Sequence, residues 1–241
     1  MLIDHFIEKR LFTHNFQPIY HLHSHHCIGF EALLRSVDFP NPELAFEAAK
    51  RAGRLYELDT ASIDLAMRAY RKSKLSDGDA VLFVNVLPST LINPKFSAFI
   101  YHTIHTNQLR ADQVVLEISE SEQMEQLLNS FHLIQKLIDH GFQFALDDVG
   151  KGYSNFGVMI AFPFKYIKLD RLFSTQLHLS NKKKALIQLF RDYCESQNIQ
   201  LVLEGLETRQ EYLLAMELGV ENAQGYFLGR PVAIEEVHAF L

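Results

Sequence analysis

The sequence contains no tryptophan and only two cysteines, Cys27 and Cys194, in 241 residues. Secreted disulfide scaffolds are short and rich in cysteine, and these two lie far apart and outside any metal-ligand spacing. No run of about eighteen apolar residues occurs, which argues against a membrane-spanning helix. The N-terminus also lacks the basic-then-apolar pattern of a signal peptide. We therefore expect a reduced, cytoplasmic protein without membrane insertion.

Positive charge is also scarce. The chain has 23 Lys and Arg against 29 Asp and Glu, a formal net charge of -6. Proteins that bind DNA or RNA polymers usually carry a basic surface, so a nucleic-acid polymer is not an expected partner. A small anionic ligand is still compatible with this charge, because bound metal ions can supply the missing positive charge.

Apolar strand patterns alternate with amphipathic helix patterns along the whole chain. A short polar connection between the first two strands predicts an antiparallel hairpin, and the later strands are followed by helices. This order predicts an α/β fold, a (β/α)8 TIM-like barrel with an antiparallel first strand. A doubly wound open sheet is the alternative, but no Gly-rich phosphate loop follows an early strand. The predicted strands are residues 16–22, 27–34, 80–87, 113–118, 142–147, 164–169, 199–204 and 222–227.

We expect residues 1–241 to form a single domain. Its first segment, residues 1–15, has apolar positions on one helical face and should pack as a helix on the barrel. A long helix is expected over residues 121–140.

Nearly every predicted strand ends in a polar or charged residue. Barrel enzymes build their sites at the rim where parallel strands end, and an antiparallel first strand begins at that same rim. Gathered carboxylates repel one another unless cations lie among them. Carboxylate and amide oxygens suit Mg²⁺ or Mn²⁺, and a pair of such ions is the usual device for displacement at phosphorus. One acid at a strand end is commonly only a helix cap, but the whole set indicates a site: Gln17, Glu31, Asn85, Glu117, Asp147, Asp148, Lys168, Asp170, Glu204 and Gln224.

Seven short segments in this order resemble the EAL-domain cyclic di-GMP phosphodiesterases over residues 17–231. Any one of them alone is weak evidence, whereas seven on the expected elements are specific. They are residues 31–35 (EALLR), 83–86 (FVNV), 116–120 (LEISE), 147–154 (DDVGKGYS), 167–170 (IKLD), 204–207 (EGLE) and 224–231 (QGYFLGRP).

The resemblance implies hydrolysis of cyclic di-GMP to linear 5′-pGpG with two divalent ions, Mg²⁺ or Mn²⁺, and inhibition by Ca²⁺. It implies that Glu31, Asn85, Glu117 and Asp147 hold one ion. Asp148 would belong to the second ion, and Glu204 would assist through contacts with metal or water. Lys168 would hold the attacking water, so Lys168, Glu204 and Glu31 are the expected catalytic residues. The expected metal ligands are Glu31, Asn85, Glu117, Asp147, Asp148 and Glu204.

The resemblance also assigns residues around the substrate. Arg35 would contact a phosphate, since a guanidinium fits its oxygens well, and Gln17, Asp170 and Gln224 would be further substrate contacts. Glu120 would steady the loop that follows the fifth strand. A homodimer and a regulatory protein partner are the expected assemblies.

The sequence departs from the family pattern at Val149 and Lys151, in the loop after the fifth strand, and at Ser36. The altered loop leaves an alternative open, a catalytically weak or inactive cyclic di-GMP receptor of the same fold. An interaction scaffold that binds no nucleotide is a third reading. The histidine-rich turn at residues 21–26 is expected at the opposite face of the barrel, as a solvated turn.

Overall fold

Eight strands close into a barrel in the computed structural model, which describes residues 2–119, 124–152 and 156–240. Strands β2 to β8 are parallel neighbours in chain order, and β1 lies between β8 and β2. A short ninth strand also pairs with β1. The strands are β1 Thr13–His21, β2 His26–Arg35, β3 Val81–Asn85, β4 Val114–Ser119, β5 Gln143–Val149, β6 Tyr166–Leu169, β7 Gln200–Leu203, β8 Asn222–Ala223 and β9 Val232–Ala233.

Strand β1 runs antiparallel to both of its barrel neighbours. Gln17 pairs with Glu31 of β2, and Tyr20 pairs with Ala223 of β8. The tight turn between β1 and β2 therefore lies at the end of the barrel where the parallel strands begin. The predicted TIM-like barrel with an antiparallel first strand is confirmed.

Helices surround the barrel and bury their apolar faces against the outer face of its strands. Within the described ranges, no helix combines the length and apolar character that crossing a membrane requires. The helices are α1 Leu2–Glu8, α2 Pro42–Arg51, α3 Leu55–Lys72, α4 Pro88–Leu91, α5 Phe96–Thr106, α6 Met124–Asn129, α7 Phe131–Asp139, α8 Phe156–Ala161, α9 Arg171–Ser174, α10 Asn181–Ser196 and α11 Arg209–Glu217.

The barrel interior has an apolar layer below a polar one. Side chains two positions apart on a strand share a face, so each apolar residue of the lower layer lies two positions from a polar residue of the upper layer on the same strand. Gly29 belongs to the lower level of β2, where an added Cβ would meet the Phe83 ring at 2.7 Å. The absence of a side chain there makes room for that ring. The lower layer comprises Ile19, Phe83, Val115, Ala145, Tyr166 and Val202.

Three predicted elements have different bounds. Helix α1 ends at Glu8, because Arg10 adopts a left-handed conformation with φ 50° and the chain then enters β1. The helix expected over residues 121–140 is divided at Ser130 into α6 and α7. The last barrel strand stops at Ala223, because the chain turns back at Gly225, whose carbonyl accepts hydrogen bonds from the backbone N–H groups of Leu228 and Gly229.

Replacement of Gly225 tests the close packing of this turn. A Cβ there would collide with the backbone of Leu206, which cannot withdraw as a flexible side chain could. We expect Gly225→Ala to lower the free energy of unfolding by about 1–3 kcal/mol, measured by urea denaturation. Gly78→Ala is the matched control, since its Cβ would lie 3.6 Å from the nearest atom. Equal stability of the two variants would contradict this packing.

His14 gives stability a defined pH dependence. It lies on the outer face of β1, its Nε2 is 2.9 Å from the Ser62 hydroxyl oxygen, and burial with the nearby Arg35 charge lowers its pKa to about 4. The unfolded chain binds this proton near pH 6.5, so stability is lost as pH falls from 6.5 towards 4. We expect His14 to make the free energy of unfolding about 2 kcal/mol lower at pH 5 than at pH 7. Unfolding of wild type and His14→Gln at both pH values measures it, and identical pH dependence would contradict it.

Candidate active site

The polar layer of the barrel is centred on the ammonium group of Lys168. This side chain is fully buried, and its Nζ lies within 3.2 Å of oxygens from four carboxylates on four other segments. An ammonium has three protons to donate, so it cannot satisfy four carboxylates. The Nζ–O distances are 3.1 Å to Glu31, 2.8 Å to Glu117, 3.2 Å to Asp147 and 2.9 Å to Glu204.

The pKa values of the carboxyl groups around Lys168 indicate a shortage of positive charge. Burial, followed by repulsion among the acids, raises the pKa of Asp147 to about 6 and that of Glu204 to about 8, and it raises the pKa of Glu117 well above its ordinary value. Burial would lower the pKa of Lys168, but the surrounding carboxylates hold it well above the ordinary value. Lys168 therefore stays charged and its single charge does not balance the four acids.

This arrangement fits a divalent cation. Ligand oxygens of Glu31, Glu117 and Asp147 lie within 4.8 Å of one another. Oε1 of Glu117 and Oδ1 of Asp147 are near Lys168, yet neither accepts a well-oriented hydrogen bond from any described residue. Buried, unsatisfied carboxylate oxygens are costly. Hard oxygen ligands of this kind are those that Mg²⁺ and Mn²⁺ prefer.

Gln224 and Asn85 also donate hydrogen bonds to Glu31, and Gln17 supports Gln224. Gln224 Nε2 donates to Glu31 Oε2 at 2.7 Å and to Gln17 Oε1 at 3.0 Å. Asn85 Nδ2 donates to Glu31 at 3.4 Å and to Glu117 at 3.5 Å. Burial alone would raise the pKa of Glu31, but Lys168 and these hydrogen bonds lower it. Gln17, Asn85 and Gln224 thus lie in the predicted site, and a ligand role for Asn85 requires its amide to turn so that the oxygen faces the ion.

The other two predicted aspartates have different partners. Asp148 has a left-handed backbone with φ 58°, and its Oδ2 is 3.1 Å from Lys151 Nζ. Asp170 lies at the end of β6 and is buried, but its Oδ1 accepts a hydrogen bond from Leu172 N at 2.7 Å and so caps α9. The metal role of Asp148 and the substrate role of Asp170 stay predictions.

Arg35 lies in an adjoining cavity of about 310 Å³ between the barrel and helices α2 and α3. Its Nη1 donates to the Leu34 carbonyl at 2.9 Å. A second cavity, the acidic cleft, is lined by Glu31, Asp147 and Glu204. Asn85 and Ser119 line both cavities, so Arg35 is close to the acidic cleft without lining it. Glu120, predicted to steady the loop after β5, falls outside the described residues.

The acidic cleft has a volume of about 500 Å³ and is open to solvent at the C-terminal rim of the barrel. Sequence reasoning missed several of its residues, including Glu43 at the start of α2 and Tyr226 beside β8. Asn41 followed by Pro42 signals a helix start, but only the fold shows that this start faces the cleft. Burial would lower the pKa of Lys151, yet Asp148, Asp170 and Glu43 raise it.

Removal of the central charge should destabilise the metal-free protein. Lys168→Met leaves three buried acids and the half-buried Glu204 without their shared counter-charge, and removal of one partner of a buried ion pair costs about 3–5 kcal/mol. Denaturation in the presence of a chelator measures this loss. The matched control is Lys165→Met, in a half-buried lysine just before β6. A loss no larger than the control's would contradict the role of Lys168 as the counter-charge.

Comparisons with known proteins agree with this geometry. The family model of the EAL domain matches residues 3–231. The blue light- and temperature-regulated antirepressor BluF of Escherichia coli strain K12 is 29% identical over 211 residues, which cover 87% of this chain and 52% of BluF. The chain therefore spans about half the length of this relative.

Two solved structures show the same fold with ligands. The PaMucR phosphodiesterase in complex with c-di-GMP is 25% identical with a TM-score of 0.86, covering 98% of this chain and 100% of that one. The manganese/cyclic di-GMP complex of Klebsiella pneumoniae BlrP1 is 28% identical with a TM-score of 0.84, covering 92% and 56%. The calcium/cyclic di-GMP complex of BlrP1 has the same identity, TM-score and coverages. The matched family model, the strand order and the polar ring inside the barrel identify this chain as a member of the EAL domain family.

Proposed function

We propose that this chain is a divalent-metal-dependent phosphodiesterase that hydrolyses cyclic di-GMP to linear 5′-pGpG. The observation that carries the proposal is the fully buried Lys168 ammonium among four carboxylates at the C-terminal rim of the barrel. The PaMucR structure is a complex with c-di-GMP, and the BlrP1 structure is a complex with manganese and cyclic di-GMP. Those ligands are properties of those proteins, and we extend them to this chain because it shares their fold and its cleft gathers carboxylate and amide groups that suit a divalent ion.

Glu31, Asn85, Glu117 and Asp147 would hold the principal ion. When bound, the ion polarises a phosphoryl oxygen and lowers the pKa of a bound water. It also supplies the positive charge that an anionic substrate needs in a cleft lined by carboxylates. Gln224 fixes the Glu31 carboxylate in place through its 2.7 Å hydrogen bond, and Gln17 fixes Gln224.

Lys168 and Glu204 would position the attacking water. Their Nζ–O distance is 2.9 Å, and Glu204 is the least buried of the four acids, with its side chain 17% exposed. A water beside this pair can accept a hydrogen bond from Lys168 and donate one to Glu204. Its oxygen forms the new bond to phosphorus, the bond from phosphorus to the ribose 3′ oxygen breaks, and that oxygen takes up a proton. Arg35 lies in the adjoining cavity, and its guanidinium would turn towards the cleft to contact a substrate phosphate.

A cyclic di-GMP receptor with weak or absent catalysis is the second candidate. The ion pair of Asp148 with Lys151 favours it, because this carboxylate is already neutralised by a side chain. The predicted homodimer and regulatory partner stay predictions for either candidate.

The proposal predicts that pGpG appears from cyclic di-GMP only when a divalent metal ion is present. Chromatographic separation of the nucleotides measures the rate. Glu31→Gln removes a ligand charge and should reduce the rate by at least about 100-fold, because even outer-shell changes at metal sites cost 10–100-fold. Glu217→Gln, an exposed glutamate on α11, is the matched control and should leave the rate unchanged.

Binding measured calorimetrically with Ca²⁺ in place of Mg²⁺ separates the two candidates. Nucleotide binding with Ca²⁺ but no pGpG with Mg²⁺ or Mn²⁺ would establish the receptor and contradict the enzyme. Absence of both binding and turnover would contradict both candidates.

A further inference from the structure

The turn after β5 joins Asp148 to Lys151 on the wall of the acidic cleft. Nζ of Lys151 is 3.1 Å from Oδ2 of Asp148, and the backbone N–H of Lys151 donates to the Asp148 carbonyl at 3.1 Å. The same short turn therefore makes both the backbone and the side-chain contact. Both residues line the cleft that contains the acids around Lys168.

The backbone fixes this pair in place. Asp148 has φ 58°, a left-handed conformation that is uncommon for a residue with a side chain and costs about 1–2 kcal/mol. The pairing of β5 with β6 is irregular between Leu146 and Val149, so the strand is bent where Asp148 leaves it. Gly150 has φ 96°, and a Cβ there would collide with the Phe173 ring of α9. The turn is thus packed against α9 at Gly150, and the Lys151 side chain, which is 60% exposed, contacts Asp148 beside the cleft.

Charge around the turn is mainly negative. Asp148 directly follows Asp147 of the central acid group, and its charge is one of those that raise the pKa of Asp147. Glu43 and Asp170 line the cleft with Lys151. An ion that binds Oδ2 of Asp148 must displace the Lys151 ammonium, and an ion that binds the other oxygen lies close to its positive charge. A divalent ion a few ångströms from an ammonium is repelled even in water.

We propose that Lys151 is a tethered counter-cation that limits the cleft to one tightly held divalent ion, by occupying the carboxylate of Asp148 that a second ion needs. The proposal rests on the proposed function in one respect, that the cleft binds the principal ion. In this protein a second ion would bind more weakly than the first, and Asp148 would become an effective ligand once the Lys151 charge is removed.

Titration of metal-free protein with Mn²⁺, followed by electron paramagnetic resonance and without nucleotide, tests the proposal. Wild type should bind one ion tightly. Lys151→Met keeps an unbranched side chain of nearly the same length without its charge, and it should bind a second ion about tenfold more tightly than wild type does. Two ions close together also give a spin-coupled spectrum, which only this variant should show at low Mn²⁺ excess.

Two further variants make the readout specific. Lys182→Met removes an exposed charge at the start of α10 and should behave as wild type. Adding Asp148→Asn to Lys151→Met should abolish the gained site.

Equal second-ion affinity in wild type and Lys151→Met would overturn the role of Lys151 while leaving the principal site intact. Absence of any Mn²⁺ binding by wild type would overturn this inference and the proposed function together. The first-ion signal, which Glu117→Gln should remove, therefore distinguishes the two failures.

Discussion

The structure depends on one buried ammonium. Lys168 neutralises part of the charge of four carboxylates at the upper level of the barrel interior, where little of their surface is exposed to water. Unpaired buried charges cost several kcal/mol, so each strand must deliver its acid at the right height around the same nitrogen. The apolar layer beneath, with Phe83 seated over Gly29, fixes that height. Strand register and electrostatics are therefore parts of the same constraint.

The sequence was sufficient for the barrel and for most of the polar layer. Alternation along each strand has a period of two, so an acid two positions after a buried apolar residue faces the same interior. The prediction placed Glu31, Glu117 and Asp147 together because the parallel strands that carry them end at one rim, and the structure does bring them together. The seven ordered segments then led to the EAL domain family, which the family match over residues 3–231 confirmed.

Features set by turns and loops could not be predicted in this way. A carboxylate after a strand can point into a cleft or cap the next helix, and Asp170 lines the cleft while also capping α9. Arg35 is the last residue of β2, yet its side chain lies in the neighbouring cavity. The pairing of Asp148 with Lys151 depends on a left-handed residue within an irregular turn. Such geometry comes from tertiary packing, here against Phe173, and leaves little trace in residue patterns.

The antiparallel first strand has a consequence for how the chain folds. Its partners include β2, which follows it at once, and β8, which lies about two hundred positions further along. Contacts between distant parts of a chain are slow to form, because a long loop must close before they contribute energy. The β1–β2 hairpin can form early, but the ring of strands closes only when β8 arrives. The hydrogen bond from Gln224 to Gln17 forms when β8 closes the ring of strands. The site is therefore completed late in folding.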